Sequence, residues 1–322
     1  MIGGSMDKDA LLARLVRPGR ADEQECRKLS ANKFIAEAAW RQLAGHERYF
    51  LRAYASGTAA HKAVLIGRSA AAVLGMWILP AADDLVTLAN PAQTPPRKEQ
   101  WPAGVEYRAM RIPLMDILII TQGSDQLRTT NQARTAVDIA RMYGVRHGVV
   151  AMDSLFHQAG LAEQAMVRAE LEACIKRLAG KKGIGHARQA LAWCSARSES
   201  PYESLLRVIL REHGIVVEEQ MWIGRFARTD MLWGQLVIEI DGAVKFNSDD
   251  ATGVALDQTT RENWIRVQNY DVARVTPGDI LRDEEGVVRQ IVDLKRRSEL
   301  LGEPRVPATV YRPQHGEDWR RR

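Results

Sequence analysis

Cysteine is scarce in this chain of 322 residues. The three that occur, Cys26, Cys174 and Cys194, stand far apart with no CxxC pair. Neither a zinc site nor a disulfide framework is therefore expected, which fits a reducing cytoplasm. Long apolar runs are missing as well. No stretch of 18 apolar residues occurs, and the first residues carry acids and no apolar signal core, so neither a membrane span nor secretion is expected. There is no G-x-S-x-G elbow, which removes that route to a serine nucleophile. The seven histidines supply no pair at metal-ligand spacing, and His213, just before Gly214, reads as a partner to a helix C-terminus. The stretch Gly180-Lys181-Lys182-Gly183-Ile184-Gly185 lacks the closing Lys-Ser/Thr of a phosphate loop and falls between helical patterns, so it reads as a basic corner. Charge of a single sign is lacking too: 45 bases are interspersed with 40 acids, and the net +5 only mildly favours a polyanionic partner.

What is present is apolar substance, at 46% of residues, enough for two or three domains with cores of their own. Residues 1–54 read as helical, with Leu11, Leu12 and Leu15, then Ser30 as a cap before Phe34, Ile35, Ala38, Ala39, Trp40 and Leu43. Arg41, Arg48 and Arg52 among Trp40, Tyr49 and Phe50 admit two readings, a face for a phosphate backbone or a solvated face over an aromatic core. Residues 55–197 divide into a small α+β unit, with strands expected at 85–88, 105–112 and 117–121, and a run of helices from Asn131 to Leu191. A last domain is expected over 198–301, with a basic tail at 302–322. The fold class expected is α+β or α/β: a helical and small α+β N-terminal part, then a mixed sheet flanked by helices.

The densest chemistry lies between Arg228 and Lys245. Leu236-Val237-Ile238-Glu239-Ile240-Asp241-Gly242 has the β-branched density of an interior strand closed by glycine. Alternation puts Ile238 and Ile240 on one face and Val237, Glu239 and Asp241 on the other. Carboxylates so spaced lie roughly 6 to 7 Å apart and repel by on the order of 3 kcal/mol at an effective dielectric near 20. A buried face keeps such a pair only if a cation, a proton or water offsets it; the alternative is an edge strand whose acids are solvated. Met231-Leu232-Trp233 and a Gly234-Gln235 turn would return the chain as a hairpin and bring Asp230 towards Glu239. Lys245 supplies a nearby cation. Upstream, Ser200, Pro201 and Glu203 spell a helix start, with Glu203 closing a capping box, so that acid has a capping reading beside a metal-proximal one. Downstream, a helix over 255–268 and a strand over 272–276 would complete a right-handed crossover, with Arg261 facing a phosphate or paired on the surface through Glu262. Hard oxygen ligands, positions open to water and phosphate, and a cation are the parts of a Mg²⁺ site for phosphodiester hydrolysis.

The segment from Ser200 to about Arg282 resembles the PD-(D/E)XK nuclease fold in its very-short-patch-repair-endonuclease-like form, a small domain at the C-terminus of many actinobacterial proteins. The resemblance runs through Ser200-Pro201-Tyr202-Glu203-Ser204-Leu205-Leu206, Arg228-Thr229-Asp230, Glu239-Ile240-Asp241-Gly242 with Lys245, Arg261-Glu262-Asn263 and Val272-Ala273-Arg274-Val275-Thr276. Residues from about Leu65 to Arg197 are similar to the body of AbiEi-like antitoxin proteins, through Arg68-Ser69-Ala70-Ala71 and Ala133-Arg134-Thr135-Ala136-Val137-Asp138-Ile139-Ala140. Many such antitoxins carry a winged-helix DNA reader where residues 1–54 stand, although these residues do not spell one out. One departure is plain: the lysine expected two residues after the second acid is Asp241 here, and Lys245 is the cation nearest it.

The resemblance implies a mixed sheet of the PD-(D/E)XK type and a metal-dependent DNA endonuclease. Asp230 and Glu239, with the Ile240 carbonyl, would hold Mg²⁺ or Mn²⁺; Asp241 would take a second ion or hydrogen-bond the attacking water. Lys245 would balance developing charge, Arg261 would grip a neighbouring phosphate, and Glu203 would support the ions from its helix. DNA is the expected partner, no membrane is involved, and a homodimer and a toxin partner stay open. Two other classes stay open as well: an antitoxin-type DNA-binding regulator whose nuclease-like domain is a retained scaffold, and a protein-interaction module.

Overall fold

The computed structural model of the chain describes residues 6–21, 25–81, 84–91, 94–241, 251–315 and 317. It divides between Cys194 and Ser195 into two compact units, and both are α+β. Among the described residues no helix is long and apolar enough to cross a membrane.

In the N-terminal unit, short β-branched runs build a five-stranded sheet, in the spatial order 105–108, 86–89, 64–65, 125–130 and 117–122. The helices Gly45–Ala59 and Gly67–Leu74 bury Tyr54, Ala70 and Val73 against Leu65, Leu88 and Leu127 of that sheet. Four more helices, Gln132–Tyr143, Val145–Gln158, Gln164–Arg177 and Ile184–Trp193, follow. At their centre Arg134 is 1% exposed and donates from Nη1 to Asp116 Oδ2 at 2.8 Å and from Nε to Asp138 Oδ2 at 2.7 Å. Arg177 and Arg141 supply the two aspartates with second partners.

The helical expectation for residues 1–54 holds over Lys8–Leu12, Pro18–Ala21, Glu37–Gln42 and from Gly45 on, and is corrected between them. Leu15–Val16, Cys26–Lys28 and Phe34–Ala36 form a three-stranded antiparallel sheet, and the helix Glu37–Gln42 starts only after it. Phe34 and Ile35 sit at helical spacing from Ala38 and Ala39, but pairing with both neighbouring strands buries Ile35 completely, and tertiary packing outweighs the local period. Nor is this segment a separate body, since it belongs to the unit ending at Cys194. Arg48 donates to the carbonyls of Trp40 and Arg41 and stacks 5.7 Å from the Trp40 ring, and Arg52 donates to the Gly104 carbonyl. Both arginines are thus tied into the fold.

The C-terminal unit opens with α1 (Pro201–Glu212), whose cap Ser200 accepts the Glu203 N–H at 3.2 Å. There follow β1 (Glu218–Glu219), β2 (Trp222–Ile223), β3 (Ala227–Arg228), β4 (Met231–Trp233), β5 (Leu236–Ile240), α2 (Ala251–Val267), β6 (Asp271–Val275), α3 (Pro277–Arg282), α4 (Glu284–Ser298) and β7 (Ala308–Thr309). A four-stranded mixed sheet runs β6-β5-β4-β1, which makes β5 an interior strand. β4 and β5 form the expected hairpin, with Trp233 opposite Leu236 and Gly234 at φ +60° supplying the turn. β5 and β6 are parallel and joined through α2. Val237, Val272, Ile265 and Tyr270 pack into the core beneath.

Between β1 and β2 the chain turns at Gln220, φ +55°, so that β1 joins the four-stranded sheet while β2 joins a second one, β3-β2-β7. α3 and α4 are separate helices, because Asp283 caps a fresh start by accepting the Gly286 N–H at 2.9 Å. One further expectation changes. The segment 302–322 is not simply a basic tail: β7 pairs with β2, Tyr270 Oη donates to the Val306 carbonyl at 2.9 Å, and Arg312 Nε donates to the Arg225 carbonyl at 3.2 Å.

Candidate active site

The β4–β5 register decides where the acids go. Met231 stands opposite Ile238, so Asp230, one residue earlier, comes alongside Glu239 and Ile240. Its Oδ2 accepts the Ile240 N–H at 2.8 Å, which fixes the carboxylate at the end of the interior strand. Glu239 has a side chain only 12% exposed, and Arg261 of α2 donates to its Oε1 at 3.1 Å. The same guanidinium donates to the Arg228 carbonyl. Glu203 on α1 accepts the Glu199 N–H at 2.8 Å and Gln220 Nε2 at 3.0 Å, both at Oε2. Asp230, Glu239 and Gln220, with Arg225, Arg228 and Arg261, line a cleft of about 360 Å³.

Burial dominates the electrostatics. Glu239 is pushed up to about 8, first by loss of water and then by the charge of Asp230, against the pull of Arg261 and Arg274. Asp230 is raised by burial, opposed by the Ile240 N–H and Arg261. Glu203 is pushed up to about 7 by burial, opposed by the Glu199 N–H and reinforced by the charge of Asp230. Around neutrality Glu239 and Glu203 hold protons that exposed carboxyls would have lost, the pattern of groups kept in place for a ligand or a reaction.

A pH dependence follows. The Glu239 carboxyl binds its proton up to about 8 in the fold, whereas its reference value is 4.5. Between those values the native state holds more protons than the unfolded one, so stability falls as pH rises, and the contribution present below 4.5 is gone above 8. Thermal melts of the metal-free protein should drop between pH 5.5 and 8.5 by an amount on the order of a few kcal/mol, with the slope flattened in Glu239→Gln. A wild-type profile that is level or rising across this window would contradict the buried pair.

The structure brings Asp230, Glu239 and Arg261 together, with Glu203 linked through Gln220. Asp241 is a correction. Arg274 Nη1 donates to its Oδ1 at 2.7 Å, and the same guanidinium reaches Glu262 Oε2 at 2.9 Å. The parallel register pairs Glu239 with Arg274, so a cation on the neighbouring strand stands beside Asp241 and draws it into an ion pair. Among the described residues no three of His, Cys, Asp and Glu gather to hold an ion. Lys245 lies outside the described residues. The capping box at Glu203 is displaced as well, because the carboxylate takes the Glu199 N–H rather than that of Ser200. Gln220 was not foreseen, and Arg228 and Arg274, although they stand within the motifs quoted above, were given no role at the site.

Mg²⁺ and Mn²⁺ keep several waters and take one or two carboxylates with substrate phosphate, and the half-buried, mutually repelling Asp230 and Glu239 would be the two that hold such an ion. Glu239 would then give up part of its bond to Arg261, and Asp241 would have to give up Arg274 to take a second ion.

Fold and site together define an α+β unit with a paired-carboxylate cleft. No family model matches the chain. It is similar to two uncharacterized proteins of Mycobacterium tuberculosis, MT2308 of strain CDC 1551 / Oshkosh and Rv2248 of strain ATCC 25618 / H37Rv. Each is 24% identical over 181 residues, which is 54% of this chain and 64% of the relative, just under two thirds of those proteins.

Proposed function

We propose that the C-terminal unit is a metal-dependent DNA endonuclease domain of the PD-(D/E)XK type, working in the cytoplasm by phosphodiester hydrolysis. The observation that carries this reading is the Asp230–Glu239 pair, half-buried at the end of an interior strand in a cleft rimmed by arginines. Its supporting order is a helix, a hairpin leading into an interior strand, a crossover helix and a parallel strand. When bound, the ion would polarise the scissile phosphate and lower the pKa of a water. The chain's own residues prepare the place. The Ile240 N–H holds Asp230 in position, and Glu239 would release its proton to water on taking a cation. Arg261 can exchange part of its hold on Glu239 for a phosphate oxygen, a charge-assisted bond of the same kind. Glu203 is a positioning residue: it holds Gln220, whose backbone N–H donates to the Asp230 carbonyl at 3.0 Å.

Incubation with supercoiled plasmid should give nicked circles with Mg²⁺ or Mn²⁺ and none in EDTA. One observation favours a second reading, a DNA-binding regulator of the antitoxin type with a retained nuclease-like scaffold: Asp241 replaces the family's lysine and is engaged by Arg274. That reading predicts salt-sensitive promoter binding without cleavage under any divalent ion. The two are separated by the same plasmid assay run beside a promoter-binding titration.

A further inference from the structure

The β2–β3 hairpin lines the cleft beside the carboxylates and Arg261. Its three-residue tip, Gly224-Arg225-Phe226, presents Phe226 at 75% exposure, an unusual place for a ring that most proteins bury. The ring is not loose. It lies 5.3 Å from the Trp264 ring at a tilt of 54°, and Trp264 also presses on the turn itself. Gly224 sits at φ +55°, where a methyl group would meet the indole at 2.9 Å, so the tip is seated directly on α2. Phe226 lines the cleft that holds Asp230 and Glu239, together with Trp222. Arg312 stacks on the far aromatic, its guanidinium 5.1 Å from the Trp222 ring. Arg225 lines the cleft too, and its Nε is buried with no acceptor among the described residues. A phosphate oxygen would supply one.

An exposed aromatic face, with guanidinium groups and a donor lacking an acceptor beside it, matches two parts of a nucleotide, its base and its phosphate. A duplex keeps its bases stacked and turned inward, so a base reaches Phe226 only from an unpaired strand or after swinging out of the helix. We infer that the β2–β3 hairpin is a stacking platform for an unpaired nucleotide, and that the cleft takes single-stranded or locally opened DNA in preference to intact duplex. This rests on the phosphodiester reading of the same cleft and names its substrate class. Phe226 holds the base, Arg225 and Arg312 hold the flanking backbone, and the acids then face the phosphate next to the stacked base.

The test is fluorescence anisotropy of the full chain in EDTA at low salt, with labelled oligo(dT) and a blunt duplex of equal length. EDTA keeps binding apart from cleavage. Oligo(dT) should bind more tightly than the duplex. Phe226→Ala should weaken the oligo(dT) complex by about tenfold, the size of one base–aromatic stack, while Phe226→Tyr should restore it. Duplex binding as tight as oligo(dT) binding, or a Phe226→Ala protein that binds oligo(dT) like wild type, would overturn the proposal. Nicking of plasmid with no effect of Phe226 removes the platform and leaves the hydrolase. A Phe226-dependent preference for oligo(dT) without nicking under any divalent ion leaves the platform and removes the hydrolase.

Discussion

Glu239→Gln is expected to lower metal-dependent nicking by about 100-fold or more and, in the same protein, to raise the melting temperature of the metal-free chain at pH 8.5. Glutamine keeps the shape of the side chain and an oxygen for Arg261, so the 3.1 Å hydrogen bond survives. It cannot carry the negative charge that a divalent ion requires. Above pH 8 the wild-type carboxylate is ionised in a buried place beside Asp230, and removing it relieves a penalty on the order of a few kcal/mol. Loss of activity joined to a gain of stability is the signature of a group held at a cost for chemistry. A glutamate kept for packing would leave nicking unchanged. Parallel measurement of nicking rates and of melts at pH 5.5 and 8.5 decides the matter: nicking within about threefold of wild type, or a variant that melts lower at pH 8.5, would remove Glu239 from the site.

Metal affinity adds a check on sign. The ion needs Glu239 deprotonated, so below its pKa of about 8 binding must displace a proton. The apparent Mg²⁺ affinity should rise with pH by up to about tenfold per unit between 6 and 8 and then level off. Calorimetric titrations at three pH values measure it.

The second large effect belongs to the N-terminal unit. Arg134→Ala should destabilise that unit by about 3–5 kcal/mol, because it removes one partner from a buried ionic network and leaves charge behind. Arg134 and Asp138 are 1% and 0% exposed, and Asp116 is 1% exposed. Burial raises the Asp138 carboxyl while Arg134 and Arg141 pull it down, so deleting Arg134 lets it climb further. The loss should therefore be greater at pH 8 than at pH 5, where a proton can take the place of the missing guanidinium. Arg134→Lys should recover only part of it, since one ammonium cannot reproduce the fork that reaches both aspartates. Denaturant melts at the two pH values test this, and a loss under about 1 kcal/mol would show that Arg141 and Arg177 suffice alone.

Much of the C-terminal unit was legible because its signals are local. Ser200 and Pro201 mark a helix start within four residues, Gly234 marks a two-residue turn, and the β-branched run Leu236–Ile240 marks an interior strand. From these the meeting of Asp230 with Glu239 follows by counting along a hairpin. Arg261, read from sequence as facing a phosphate or as paired through Glu262, pairs instead with Glu239.

The chain's order of residues was enough to determine the α+β class, the hairpin and the pairing of two acids, because each depends on groups a few residues apart. It was not enough for Asp241. That carboxylate was expected to take a second ion or to hydrogen-bond the attacking water, but Arg274, 33 residues on, engages it from the parallel strand. The same holds for Gln220 on Glu203, for Phe34 and Ile35 turning from helix to strand, and for residues 306–312 folding back along β2. Each was settled by a partner distant in sequence, and Coulomb and packing energies depend on separation in space, which only the assembled sheet sets.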